Sequence, residues 1–103
     1  MNIIYHITTA AEWSIALEKG FYEAASLTTE GFIHCSKAEQ VNGVLERYFK
    51  GKNNLVKLII DTDKLTNDLK FELAPSVNET FPHVYGVINL DAVIEIQNLS
   101  LNI

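Results

Sequence analysis

The sequence predicts a single α+β domain, with its helices early and most of its strands late. Three observations carry this. A length of 103 residues suits one domain and leaves no room for two. Both strong helix signals, each opened by capping residues, fall before Gly51. The longest β-branched run, Leu55-Val56-Lys57-Leu58-Ile59-Ile60, follows them, and strands do not alternate with helices as in a doubly wound fold. The expectation is two helices at the N-terminal end and a sheet of four to six short strands.

The elements follow in order. Ile3-Ile4-Tyr5-His6-Ile7 reads as a strand, with His6 on the same face as Ile4 and Thr8. Thr9-Ala10-Ala11-Glu12 has the form of a capping box; the helix it opens carries Trp13, Ala16 and Leu17 on one face and stops at Gly20. Residues 21–30 read as an irregular crossing. Gly31-Phe32-Ile33-His34-Cys35 is a second strand. Ser36-Lys37-Ala38-Glu39 is a second capping box, and Val41, Val44, Leu45 and Tyr48 follow at helical spacing until Gly51. Beyond the strand 55–60, Asp61 closes a turn and a short helical piece surrounds Asp63–Leu65. Lys70–Leu73 is a fourth strand, Pro75–Pro82 a loop, and His83–Gly86 and Val93–Ile96 are late strands.

Composition narrows the function. Hydrophobic residues make up 48% and charged residues 20%, a globular balance. The net charge of −5 disfavours binding along an extended nucleic acid, although a local pocket can still hold one nucleotide. The lone Cys35 excludes an internal disulfide. The N-terminus lacks a basic leader, and no apolar run nears the ~20 residues of a membrane span, so a cytoplasmic protein is expected.

The three histidines, His6, His34 and His83, lie in short runs of aromatic, hydroxyl and turn residues, where pockets are built. Singly, each fits a half-buried histidine with one hydrogen bond; together they suggest one shared pocket, with imidazoles tunable near neutral pH. Close metal-ligand spacings are missing, and neighbours His34 and Cys35 should point to opposite faces, so no metal is expected. A metal-dependent hydrolase assembled from distant histidines is the lesser reading. Cys35 reads as a buried hydrophobe rather than a nucleophile. Arg47 is a surface charge or an anion clamp. Glu30 and Glu72 are the carboxylates best placed near strands for proton transfer or charge stabilisation. Tyr22 and Tyr85, outside the periodic segments, are candidate pocket walls; Gln40 and Asn89 are candidate amide contacts.

Several of these runs together carry a resemblance. Ile4-Tyr5-His6-Ile7-Thr8, Trp13, Glu30-Gly31-Phe32-Ile33-His34-Cys35-Ser36, Gln40, Arg47-Tyr48-Phe49, Phe81-Pro82-His83-Val84-Tyr85-Gly86 and Asn89-Leu90 resemble DUF952, a family of mostly bacterial proteins without an assigned activity. The order of motifs is also distantly similar to the ADP-ribosyltransferase superfamily, especially its RNA 2′-phosphotransferase branch. That likeness implies an ADP-ribosyltransferase-like fold, with two N-terminal helices packed on a small, split, mostly antiparallel sheet, and a site for NAD or a related nucleotide. It implies that His6, with Thr8, holds a ribose hydroxyl, that His34 and Ser36 line the second ribose or a phosphate, and that His83 stands at the reacting centre, making His6, His34 and His83 the catalytic candidates. Tyr22, Arg47 and Tyr85 complete the implied ligand contacts.

Two departures matter. Isoleucine at position 7 stands where the branch has glycine, and His83 stands where the transferases place a glutamate. The implied activity is ADP-ribosyl or phosphoryl transfer. The rival is a non-catalytic nucleotide- or small-molecule-binding module that has lost the acidic residue. Which holds turns on whether Glu30 or Glu72 reaches the pocket.

Overall fold

The computed structural model describes residues 2–99. The fold is α+β, as the sequence predicts, but the strands divide among three small antiparallel sheets. The first sheet has the order β1–β4–β8, from Ile3–Thr9, Leu55–Asp61 and Val93–Asn98. The second pairs β2 (Phe21–Tyr22) with β7 (Ile88–Asn89). The third has the order β3–β6–β5, from Ile33–His34, Glu79–Tyr85 and Asp68–Ala74. A backbone bridge between Tyr5 and Ser36 ties the first sheet to the third, with N–H to O distances of 2.8 and 2.7 Å.

Strand β1 is buried on both faces, which explains its density of β-branched residues. Ile4 belongs to the main core with Trp13, Tyr22, Ile33, Leu58, Ile60, Val84 and Ile88. Ile7, on the other face, packs with Val41 and Leu55. Helix α1 (Ala10–Lys19) shows the threonine half of the capping box and the expected stop: Thr9 accepts from the Glu12 N–H, and Gly20 takes the left-handed conformation at φ 93°. Its inner face is narrower than read, because Leu17 is 56% exposed while Trp13 and Ala16 are buried.

Other expectations are corrected. Residues 21–30 are not an irregular crossing; they form β2 and then helix α2 (Ala25–Glu30), too short and weakly periodic to read from sequence. Among the described residues there are thus three α-helices, the last being α3 (Val41–Tyr48), entered through a 3-10 turn at Ala38–Gln40. The capping contact there lies one residue later than read, because Gln40, not Glu39, accepts from the Lys37 N–H. Ser36 is instead committed to the Tyr5 bridge. Tyr48 is exposed rather than packed. The loop read from Pro75 to Pro82 is shorter, because β6 begins at Glu79. Proline at position 82 looks like a strand breaker, but its carbonyl accepts from Cys35 and it has no ladder bond to give toward β5.

Candidate functional site

Strand pairing places the site. In β3–β6 His34 stands opposite His83, and in β6–β5 His83 stands opposite Lys70. Opposed residues share a face, as do residues two apart. One face of this sheet therefore gathers His34, His83, Tyr85, Lys70 and Glu72, while Ile33, Val84 and Leu69 turn to the other side, where Ile33 and Val84 are fully buried.

On the polar face the rings are close. The His34 and His83 centroids are 5.2 Å apart, edge to face. Phe32 stacks on His83 at 4.1 Å and 17°, meets His34 edge-on at 4.9 Å and reaches Tyr85 at 5.3 Å. Each histidine has a carboxylate. His83 Nδ1 lies 2.7 Å from Glu72 Oε1, and His34 Nε2 lies 3.0 Å from Glu30 Oε2. Glu30 reaches His34 because Gly31, left-handed at φ 89°, reverses the chain after α2, and Ser26 holds the turn by donating to the Phe32 carbonyl.

The tautomer of His83 follows from its partner. An ionised carboxylate can only accept, so Nδ1 carries a proton. Among the described residues Nε2 has no partner, and no buried polar side-chain atom there lacks one, so Nε2 touches solvent. Glu72 also accepts from the Tyr85 hydroxyl at 2.5 Å. That bond first, and the His83 N–H second, hold the Glu72 carboxyl below the usual carboxylate range, while Glu72 pushes the Tyr85 hydroxyl up. The result is an oriented imidazole whose Nε2 faces solvent.

His6 lies apart, inside the protein. Its Nδ1 lies 2.5 Å from the His34 carbonyl, and its Nε2 lies 2.7 Å from the Tyr22 hydroxyl, itself 3.0 Å from Thr8 Oγ1. The carbonyl can only accept, so Nδ1–H donates. Burial pushes the His6 imidazole down to about 4, so at neutral pH it has a single proton. Nε2 therefore accepts from Tyr22, and the Thr8 hydroxyl is left to donate to the Tyr22 oxygen. Burial likewise pushes the Tyr22 hydroxyl up to about 12.

The expected single pocket is therefore two connected clusters. His34 and His83 share the outer face; His6, Thr8 and Tyr22 form an internal chain that ends on the His34 backbone. Both nitrogens of His6 are engaged within the protein, so a direct ligand contact would require one of these bonds to open. Tyr22 is a core residue, 2% exposed, rather than an open wall. Ser36 is buried in the Tyr5 bridge, and Arg47 is exposed on α3 against the Tyr48 ring. Gln40 donates to Glu79 and to the Thr80 carbonyl, and Asn89 donates to the Lys64 carbonyl and Asp91. Cys35 is buried with its thiol pushed up to about 12, the state of an inert side chain.

Two site residues escape the sequence reading. Phe32 reads as core and Lys70 as an ordinary strand charge, yet both join the cluster. The signal was the period of two in Phe32-x-His34, Lys70-x-Glu72 and His83-x-Tyr85. Two surface grooves, one lined by Glu12, Lys19 and Phe21 and the other by Ile3, Lys37 and Phe71, include no histidine. Among the described residues no three His, Cys, Asp or Glu side chains gather as a metal requires, and His6 has no nitrogen to give one.

The family model described as "Protein of unknown function (DUF952)" matches residues 7–96. The chain belongs to the DUF952 family. The fold is shared with protein CC0527 from Caulobacter crescentus, whose crystal structure aligns with a TM-score of 0.89 at 34% identity, over 98% of this chain and 89% of that one. Its solution NMR structure aligns with a TM-score of 0.83 at 35% identity, over 99% and 88%. No curated protein matches the chain. The matched span of this DUF952 domain contains every histidine-cluster residue, except that His6 lies just before it.

Proposed function

We propose that this DUF952 protein is a group-transfer enzyme of the ADP-ribosyltransferase type, with its site on the outer face of the β3–β6–β5 sheet. The observation that carries the reading is the pairing of each outer histidine with a glutamate: Glu72 with His83 and Glu30 with His34. The sequence departs from the transferases by placing histidine where a glutamate is expected, and Glu72, from the neighbouring strand, brings a carboxylate back to that point.

The side chains suit one end of NAD or an ADP-ribosyl group. Phe32, with one face stacked on His83, and Tyr85 offer aromatic surface, Glu30 and Glu72 offer negative charge to a cationic nicotinamide ring, and Lys70, over the Tyr85 ring, brings a cation for a phosphate. When bound, NAD supplies a sugar carbon made reactive by a cationic leaving group. The residues do the rest. Glu72 stabilises positive charge developing beside it, and His83 Nε2 takes the proton of an attacking hydroxyl or phosphate oxygen. The internal chain Thr8–Tyr22–His6 fixes the His34 carbonyl and hence the backbone of β3, so His6 acts on the site through position.

The test is release of nicotinamide from NAD, followed by chromatography, with wild type and His83→Ala. Loss of an oriented acid–base group costs ~10²–10⁴ in rate. Turnover that falls by that range supports the enzyme. Saturable NAD binding without turnover supports the binding module, and neither binding nor turnover removes the nucleotide reading.

A further inference from the structure

We infer that β5 is a dimerisation edge, and that two copies of this chain join their β3–β6–β5 sheets into one by antiparallel pairing centred on Phe71.

Strand β5 ends its sheet, and among the described residues its outer side has no partner strand. Which backbone groups it presents there follows from Pro82. The Pro82 carbonyl accepts from Cys35, so it points toward β3. In a strand the N–H and C=O of one residue point to the same side, so Phe71, opposite Pro82, makes no ladder bond with β6. Its N–H and C=O therefore point outward, and by alternation so do those of Leu69 and Leu73. No other backbone or side-chain group among the described residues takes them up. Phe71 and Leu73 are 53% and 57% exposed, so the edge is apolar as well as unpaired.

Register decides the partner. In a twofold antiparallel pair that keeps like faces together, the centre must be a residue. Centring on Lys70 sets Lys70 against its own copy and Asp68 against Glu72. Centring on Glu72 sets two glutamates together and shortens the overlap. Centring on Phe71 pairs Phe71 with Phe71, Leu69 with Leu73 and Lys70 with Glu72, uses the whole of Asp68–Ala74, and opposes no like charges. The outward N–H and C=O groups of Leu69, Phe71 and Leu73 then meet their complements. A second copy fits this edge because the edge is complementary to itself. The pairing also sets the partner's Lys70 against Glu72, adding a cation to the outer site. The inference stands on the edge geometry and does not require the enzymatic reading.

The test is sedimentation velocity of the whole chain from micromolar to millimolar concentration, with Lys70→Glu and Glu72→Lys measured alone and mixed. Wild type is expected to show a concentration-dependent dimer. Each single variant turns both cross-strand charge pairs repulsive and weakens the dimer about tenfold or more. Mixing the two restores it, because every cross-copy pair is then opposite in charge. Circular dichroism confirms that both variants fold, as expected for these solvent-reaching side chains. A wild type that stays monomeric at millimolar concentration overturns the inference. So does a dimer unaffected by the single variants, or one the mixture does not restore.

Discussion

Lowering the pH from 6.5 toward 4 removes a defined part of this protein's stability through His6. Unfolded, the imidazole takes a proton near 6.5; folded, burial holds the proton off until about 4. Within that interval the unfolded chain binds more protons than the native one. The contribution is therefore complete above the unfolded value and is lost as pH falls. Each pH unit costs about 1.4 kcal/mol, so the loss reaches about 2 kcal/mol by pH ~5 and roughly 3 kcal/mol at the lower bound. Against a total of ~5–15 kcal/mol this is a large fraction. Glu72, whose carboxyl is held low, adds acid sensitivity below the ordinary carboxylate range. The span between pH ~6.5 and ~5 thus separates the histidine from the carboxylates. Urea unfolding at several pH values gives the slope, and the His6 ring proton shift in NMR gives its titration. A stability flat across that span, or a His6 ring that titrates near its ordinary value, would refute the assigned burial and tautomer.

Tyr22→Phe removes the donor to His6 Nε2 and leaves a buried acceptor unpaired, so it should cost ~1–3 kcal/mol in urea unfolding with an unchanged denaturant slope. Gly86→Ala should lower the melting temperature: Gly86 sits at φ 148°, and a Cβ there would lie 2.5 Å from the Asn67 side chain, which holds the Val87 carbonyl. Cys35 should resist iodoacetamide at mildly alkaline pH in the native state and react once urea unfolds the chain, as mass spectrometry would show. Glu72→Gln should keep the fold yet reduce nicotinamide release to nearly the extent of His83→Ala, because it removes the carboxylate that orients the imidazole; a full rate in this variant would deny Glu72 its role.

Long, strongly patterned elements were legible in the sequence. Thr9 with Glu12 and Gly20 marked both ends of α1, and the β-branched run marked β4. What was lost is what local pattern does not encode. Strand β2 has two residues and exists because Ile88 and Asn89 supply its ladder. Helix α2, six residues long, begins at Ala25 after Ala24, which has no side chain to cap it, so its start carried no signal. Position 82 read as a loop because proline lacks an N–H, and only tertiary structure shows that β3 needs just its carbonyl.

At the site, the sequence marked His34 and His83 as pocket candidates and raised the question of whether Glu30 or Glu72 reached them; the structure brings the two rings to 5.2 Å and sets a glutamate beside each. The separation of His6 was not legible. Alternation along β1 puts His6 on the face of Ile4 and Thr8, but only the fold shows that this face is closed by Tyr22. The carboxylate at His83 comes from a different strand, eleven residues away in sequence and adjacent through the β5–β6 register.

The most direct test of the central claim is an NMR titration of the isotopically labelled protein with NAD and with ADP-ribose, followed at every backbone amide. A nucleotide site on the outer face gives saturable shifts concentrated at residues 30–34, 70–72 and 83–85, with smaller changes at His6. No shift at millimolar ligand, or shifts confined to the groove beside α1, would contradict it.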